Sequence, residues 1–404
     1  MREFSLSQKI VLELLSSAVT VTKPNIDNET LTQADWDTIG LISSHHAVTP
    51  MVFDAMAQYK SLIPKEIYSK WYSHILKVLS QNSVVQGAQD ELCKLLGNST
   101  DYVILKGLAA AAYYIKPELR GLGDVDFLVD NKNVAETEKR IVDSGYENYL
   151  DNGRHITFKK SGKMLELHRE IPGVPYGEKG AITQKFVADI FKKANTVLVM
   201  GSEFKAPCDM HHGVVLLLHS AHHLVSEGLG LRHLCDWACF VNKTASDEFW
   251  QEELLPFLKQ IGMYNFAAIL TKTCAVYLKT ALPVWASKAD DSLVDALMED
   301  VLIGGNFGEF DKTRAGSGMM ISEHGKGGTK NSKAYNLFRA LHTSMYTVYP
   351  VLYKAPYLYP FIFVWRIIKY IFMMLAGKRP SLIAASQKAD ERKRLYDKLK
   401  LFED

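Results

Sequence analysis

The segment Asp124-Val125-Asp126-Phe127-Leu128-Val129 constrains this chain more than any other. It alternates as a β-strand does, and side chains at i and i+2 of a strand share a face. Asp124 and Asp126 therefore project together, while Val125, Phe127 and Val129 turn into the core. Two neighbouring carboxylates on a rigid strand repel one another unless a positive charge lies between them. A divalent cation is the natural counter-ion, and magnesium takes oxygen ligands from one or two carboxylates together with substrate phosphates.

A second pattern matches the first. In Met164-Leu165-Glu166-Leu167-His168, Glu166 and His168 share one face and the two leucines the other. If this strand lies beside the Asp strand, Glu166 joins the pair. Three carboxylates can hold two metal ions about 3.5–4 Å apart, the arrangement used for in-line displacement at phosphorus. The strand is read as one arm of a hairpin, His155–Lys160 and Lys163–His168, turned at Ser161-Gly162. Upstream, Lys106-Gly107 closes the apolar run Tyr102–Leu105. Glycine lets backbone approach a phosphate, and lysine adds charge there. Arg120 offers a bidentate fork to phosphate oxygens, or an ion pair to Asp124.

The ordered set Leu105-Lys106-Gly107, Arg120, Asp124-Val125-Asp126, Leu165-Glu166-Leu167-His168 resembles the uncharacterised nucleotidyltransferase family of the polymerase-β-like superfamily. Trp36, His46, Val48 and Pro50 upstream, and His219, His223, Arg232 and Asp236 downstream, extend the likeness over most of residues 30–240. One position departs from the superfamily pattern. Lys106-Gly107 stands where Gly-Ser is usual, so the serine that often contacts triphosphate is missing. The resemblance implies Asp124, Asp126 and Glu166 as catalytic metal ligands. It also implies Lys106, Gly107, Arg120, His168 and Arg232 as nucleotide-binding residues. The cofactor would be Mg²⁺, two ions, with Mn²⁺ as a substitute, and the donor a nucleoside triphosphate.

The expected fold is α+β: a small mixed β-sheet core over 98–205, embedded between N- and C-terminal helical regions. Helices are expected over 1–97 and over 206–303, the latter completing the cleft. A Gly- and Lys-rich loop is expected at 304–333, as a solvated loop or a cover for the triphosphate. An aromatic and basic helical region follows at 334–404. Residues 348–376 are apolar, but Pro350, Pro356, Pro360, Lys354, Arg366 and Lys369 interrupt them. They suit a packed or self-associating helix, or one lying on a membrane surface, better than a spanning one.

His219 and His223 have metalloprotease spacing, but Ser220 stands where that signature needs glutamate. They are read as cleft lining or core. Arg232 and Asp236 are four apart on a helix, an ordinary ion pair unless Arg232 meets nucleotide. The net charge of +2 shows no strongly basic groove, which favours a small-molecule or glycan-precursor acceptor over nucleic acid. The five cysteines make no CxxC pair, and the N-terminus carries charges at Arg2, Glu3, Lys9 and Glu13. A cytoplasmic protein, peripheral to the membrane at most, is the expectation. Two rival readings stand: a catalytically silent nucleotide-binding module, and a toxin-like transferase that modifies RNA or protein.

Overall fold

The computed structural model describes residues 4–97, 99–151, 153–175, 177–226, 228–244, 248–306, 345, 348–349, 351–375 and 392–403. Most of the expected Gly- and Lys-rich loop, residues 307–333, lies outside them, as do 334–344.

Four short helices open the chain: α1 (Leu6–Thr20), α2 (Asn28–Thr32), α3 (Trp36–His45) and α4 (Thr49–Met56). Ser5, Asp27 and Asp35 cap the first three by accepting from the backbone N–H three residues on, which satisfies an otherwise orphaned donor. The long α5 (Lys65–Leu96) follows. Its early turns hold one large anchor, Trp71, which packs edge-on against Trp36 and directly over Gly40 of α3. A Cβ at Gly40 would lie 2.5 Å from the Trp71 indole nitrogen, so only glycine fits beneath it.

The sheet is built from β1 (Tyr102–Ile104), β2 (Val125–Val129), β3 (Glu147–Asp151), β4 (His155–Lys160) and β5 (Lys163–His168), in the order β1-β2-β5-β4-β3. Helices α6 (Leu108–Ala111) and α7 (Val134–Asp143) lie between strands in the chain. β2 and β5 run parallel, with Asp126 abreast of Glu166 and Leu128 abreast of His168. The other pairs are antiparallel. Ser161 and Gly162 both have positive φ, 48° and 80°. That is the geometry a two-residue hairpin needs to follow the strand twist.

A helix α8 (Glu178–Phe186) leads to a separate hairpin, β6 (Asn195–Val199) and β7 (Ser202–Ala206), not anticipated from the sequence. The helices α9 (Asp209–Ser226), α10 (Leu231–Lys243), α11 (Leu255–Gln260), α12 (Tyr264–Leu278), α13 (Val284–Ser287) and α14 (Asp291–Gly304) follow. Then come α15 (Val351–Lys354) and α16 (Tyr359–Leu375). Cys235 and Cys239 are buried on successive turns of α10, as small core residues. Among the described residues no helix is long and apolar enough to cross a membrane.

The two faces of the sheet serve different cores. Val125, Phe127, Val129, Leu165 and Leu167 pack with Val85, Ala88 and Leu92 of α5. Val103, Leu105 and Leu128 join the larger helical core that holds α9, α10 and α12. The alternation of β2 therefore sends Asp126 toward the helices and its apolar neighbours toward α5.

Asn82 of α5, 2% exposed, fixes the approach to β2. Its Nδ2 donates to the Arg120 carbonyl at 3.0 Å, and its Oδ1 accepts from Leu122 N–H at 2.8 Å. Asn82→Ala should cost about 1–3 kcal/mol in urea unfolding, because it strands a buried donor and a buried acceptor. A loss under about 0.5 kcal/mol would show that the segment is held by other means.

Candidate active site

Asp126 is 3% exposed, so its charge needs partners inside the protein. Two converge on Oδ1. Lys106, just past β1, brings its Nζ to 2.7 Å, and His168 on β5 brings its Nε2 to 2.8 Å. The Leu105 N–H donates to the Asp126 carbonyl at 2.9 Å, which sets Lys106 at the end of β1 beside the acid. Burial pushes the Asp126 carboxyl upward, but the Lys106 charge and the His168 hydrogen bond outweigh it and hold it below the usual range. His168 has its own pKa lowered, by burial first. A neutral imidazole meeting an acceptor-only carboxylate must place its proton on Nε2.

The other two acids go the opposite way. The charge of Asp126, then burial, raises Asp124 to about 6. Burial, then the charges of Asp126 and Asp124, raise Glu166 to about 8. Lys106 and Arg232 thus leave three crowded carboxylates short of positive charge. Asp126, Glu166 and His168 each offer a ligand atom, and these atoms lie within 4.8 Å of one another. Asp124 lines the same cavity but lies outside that group; a donor set rich in crowded carboxylate oxygens, short of positive charge, fits a hard divalent cation.

All eight residues singled out in the sequence line one cavity of about 470 Å³ between the sheet and the helices α9 and α10. They do not all face it with open valences. Arg120 is 6% exposed. Its Nε and Nη2 donate to the two oxygens of Asp236 at 2.7 and 2.8 Å, and Tyr114 donates to the same carboxylate at 2.7 Å. The fork expected to meet phosphate or Asp124 is turned on Asp236, because a buried guanidinium requires a paired, hydrogen-bonded anion. Arg120 is the hydrogen-bonded partner of Asp236, and the Arg232 charge acts on Asp236 as well as on Asp124, lowering the pKa of each.

The helical wall is rich in histidine. His219 and His223, one turn apart on α9, meet at 2.8 Å between Nε2 atoms, and His219 also lies 3.2 Å from Lys106 Nζ. His233 of α10 completes a trio whose ring nitrogens lie within 4.8 Å of one another. Burial first, then neighbouring cations and imidazoles, keep all three well below the ordinary histidine range and therefore neutral. His212, two turns earlier, donates Nε2–H to the Leu105 carbonyl at 3.0 Å and ties α9 to the end of β1.

Sequence reasoning passed over His155. It opens β4 directly opposite His168, its ring centroid 5.2 Å from that of His168 and its Nε2 3.9 Å from Glu166 Oε1. Burial lowers it to about 4. The signal was present, because a two-residue turn at Ser161-Gly162 fixes the register and sets residue 155 against 168. Gly173, where a Cβ would lie 2.4 Å from the Leu218 carbonyl, also lines the cavity, and nothing local in the sequence marks it.

The raised Glu166 carboxyl makes a signed prediction. Charging it costs the folded state stability. With divalent cations chelated, that cost is absent below about 4.3, where the group is protonated folded and unfolded alike. It grows up to about 8 and is constant above. Glu166→Gln never takes the charge, so in EDTA its melting temperature should climb relative to the parent chain between those limits. A gap that stays flat across the window would contradict the crowding.

The model of the family described as uncharacterised nucleotidyltransferase matches residues 32–279, more than half of the chain. No curated protein matches. The chain is also similar to a crystal structure of an antigenic nucleotidyltransferase-like protein from Paracoccidioides brasiliensis. The TM-score is 0.29 and the identity 15%, over 52% of this chain and 97% of that one.

Proposed function

This chain belongs to the uncharacterised nucleotidyltransferase family, and on that premise we propose that it moves a nucleotidyl group from a nucleoside triphosphate to an acceptor hydroxyl in a Mg²⁺-dependent reaction. The observation that carries the reading is the register of the parallel pair β2 and β5, which sets Glu166 abreast of Asp126 on the face turned to the cavity. A divalent cation held by Asp124, Asp126 and Glu166, magnesium or manganese, would neutralise phosphate charge and favour the ionised hydroxyl.

The chain's own groups divide the remaining work. The Lys106 ammonium, already between Asp126 and His219, supplies positive charge for phosphate oxygens. Gly107, at φ 59°, leaves the backbone beside it bare, so a phosphate can approach closely. Arg232 adds a second cation on the Asp124 side. Arg120 acts at one remove, by bracing α10 against the segment that leads into Asp124. His168 orients Asp126 through its Nε2–H. In the transfer, the bond from acceptor oxygen to α-phosphorus forms and the bond to pyrophosphate breaks. Ionised Glu166 accepts the hydroxyl proton.

The cavity, about 470 Å³, falls in the range of small-molecule sites, roughly 300–1,000 Å³. Its size and its histidine-lined wall support a small molecule or glycan precursor as acceptor over nucleic acid.

Calorimetric titration of each nucleoside triphosphate with and without Mg²⁺ tests the reading. The parent chain should bind at least one nucleotide in a Mg²⁺-dependent way. Asp124→Asn and Asp126→Asn should each weaken that binding about tenfold or more. Asp124→Asn should leave the melting temperature unchanged or higher, since it relieves repulsion. Nucleotide affinity indifferent to Mg²⁺, or to both substitutions, would sink the proposal.

A further inference from the structure

The helix α16 carries a ridge of exposed apolar side chains: Phe361, Trp365, Ile368, Phe372 and Leu375, between 53% and 78% exposed. Their spacing of 4, 3, 4 and 3 residues places them on a single stripe. A monomeric soluble protein rarely leaves so continuous an aromatic and aliphatic face to water, and such faces mark interaction sites. Arg366 and Lys369 each follow a ridge residue by one position, so they run down one flank of the stripe.

The charge around this helix is one-sided. Between Glu323 and Asp390 the sequence holds ten Lys and Arg, from Lys326 to Lys388, and no Asp or Glu at all. Of the chain's 47 Lys and Arg, 37 therefore remain to face all 45 Asp and Glu elsewhere. The near-neutral whole is an acidic protein carrying one strongly basic, aromatic segment, and α16 lies inside that segment.

We propose that α16 docks the protein on an anionic membrane surface, lying in the plane of the interface with its ridge among the acyl chains and its basic flank at the headgroups. Charge selects this occupant over a second copy of the chain. Self-pairing through α16 would bring two stretches of sequence rich in Lys and Arg and free of Asp and Glu against each other. Anionic lipid satisfies the ridge and the cations at once. Tryptophan and tyrosine suit that depth, where one end of the ring is apolar and the other wet. Over the described residues the helix has 17 residues, under the about 20 needed to span the hydrocarbon core.

Co-sedimentation of the full chain with vesicles decides it. The chain should pellet with vesicles of phosphatidylcholine plus phosphatidylglycerol, release as salt rises, and stay in solution with phosphatidylcholine alone. Lys369→Glu should weaken binding roughly fivefold per unit of charge changed. Trp365→Ser and Phe372→Ser should each weaken it about tenfold or more. All three sites are exposed, so circular dichroism and melting temperature should match the parent. Absence of binding to either vesicle, equal binding to both, or a concentration-dependent dimer that Trp365→Ser dissolves in analytical ultracentrifugation would overturn the proposal.

Discussion

The ion pair between Lys106 and Asp126 is the interaction on which the rest of the site depends. It buries a carboxylate almost completely at the centre of a sheet and joins β2 to the end of β1. An isolated charge there would cost several kcal/mol or more. Lys106 and the His168 hydrogen bond make it tolerable. They also fix the electrostatic order of the cavity, because Asp126 stays ionised and its charge drives Asp124 and Glu166 toward protonation. The site is therefore built with a deficit of positive charge, and a cation with its bound phosphates is what that deficit suits.

A site of this kind needs its walls held at fixed distances, and the helical regions do that work through a few long-range contacts. Arg120 and Asp236 are 116 residues apart in the chain and brace the β2 approach against α10. His212 holds α9 to the end of β1. The Leu231 N–H donates to His46 Nδ1 at 3.2 Å, which ties the start of α10 to the N-terminal helices. Each contact pairs a buried polar group, so each adds geometric definition as well as stability. None of them is local in sequence.

That separation explains how much could be read from the residues alone. The strand β2, the hairpin β4–β5 and the sharing of faces by Asp126, Glu166 and His168 follow from period-two alternation and one Ser-Gly turn, which are local signals. Which strands lie side by side is not local, yet the charge pattern pointed to the Asp126–Glu166 neighbourhood. The pairing of Arg120 could not be read, since its partner lies on a helix whose own i, i+4 spacing suggested Arg232 for Asp236. The hairpin β6–β7 escaped notice because its first strand shows no clean alternation, with Asn195, Thr196 and Leu198 exposed, the last 72% open to solvent. His155 escaped although the hairpin register placed it, because the alternation was read on one strand at a time. The nature of α16 needed both levels. Its ridge is a structural fact, and the acid-free run around it is a sequence fact.

In the proposed reaction, cation and triphosphate meet at the cavity floor formed by Asp124, Asp126 and Glu166. Crystals of the full chain grown with Mn²⁺ and a non-hydrolysable nucleoside triphosphate analogue, with anomalous diffraction recorded at the manganese edge, test it directly. Anomalous density should appear among those three carboxylates, with the phosphates against Lys106 and Gly107. Manganese bound elsewhere, or a nucleotide seated outside this cavity, would contradict it.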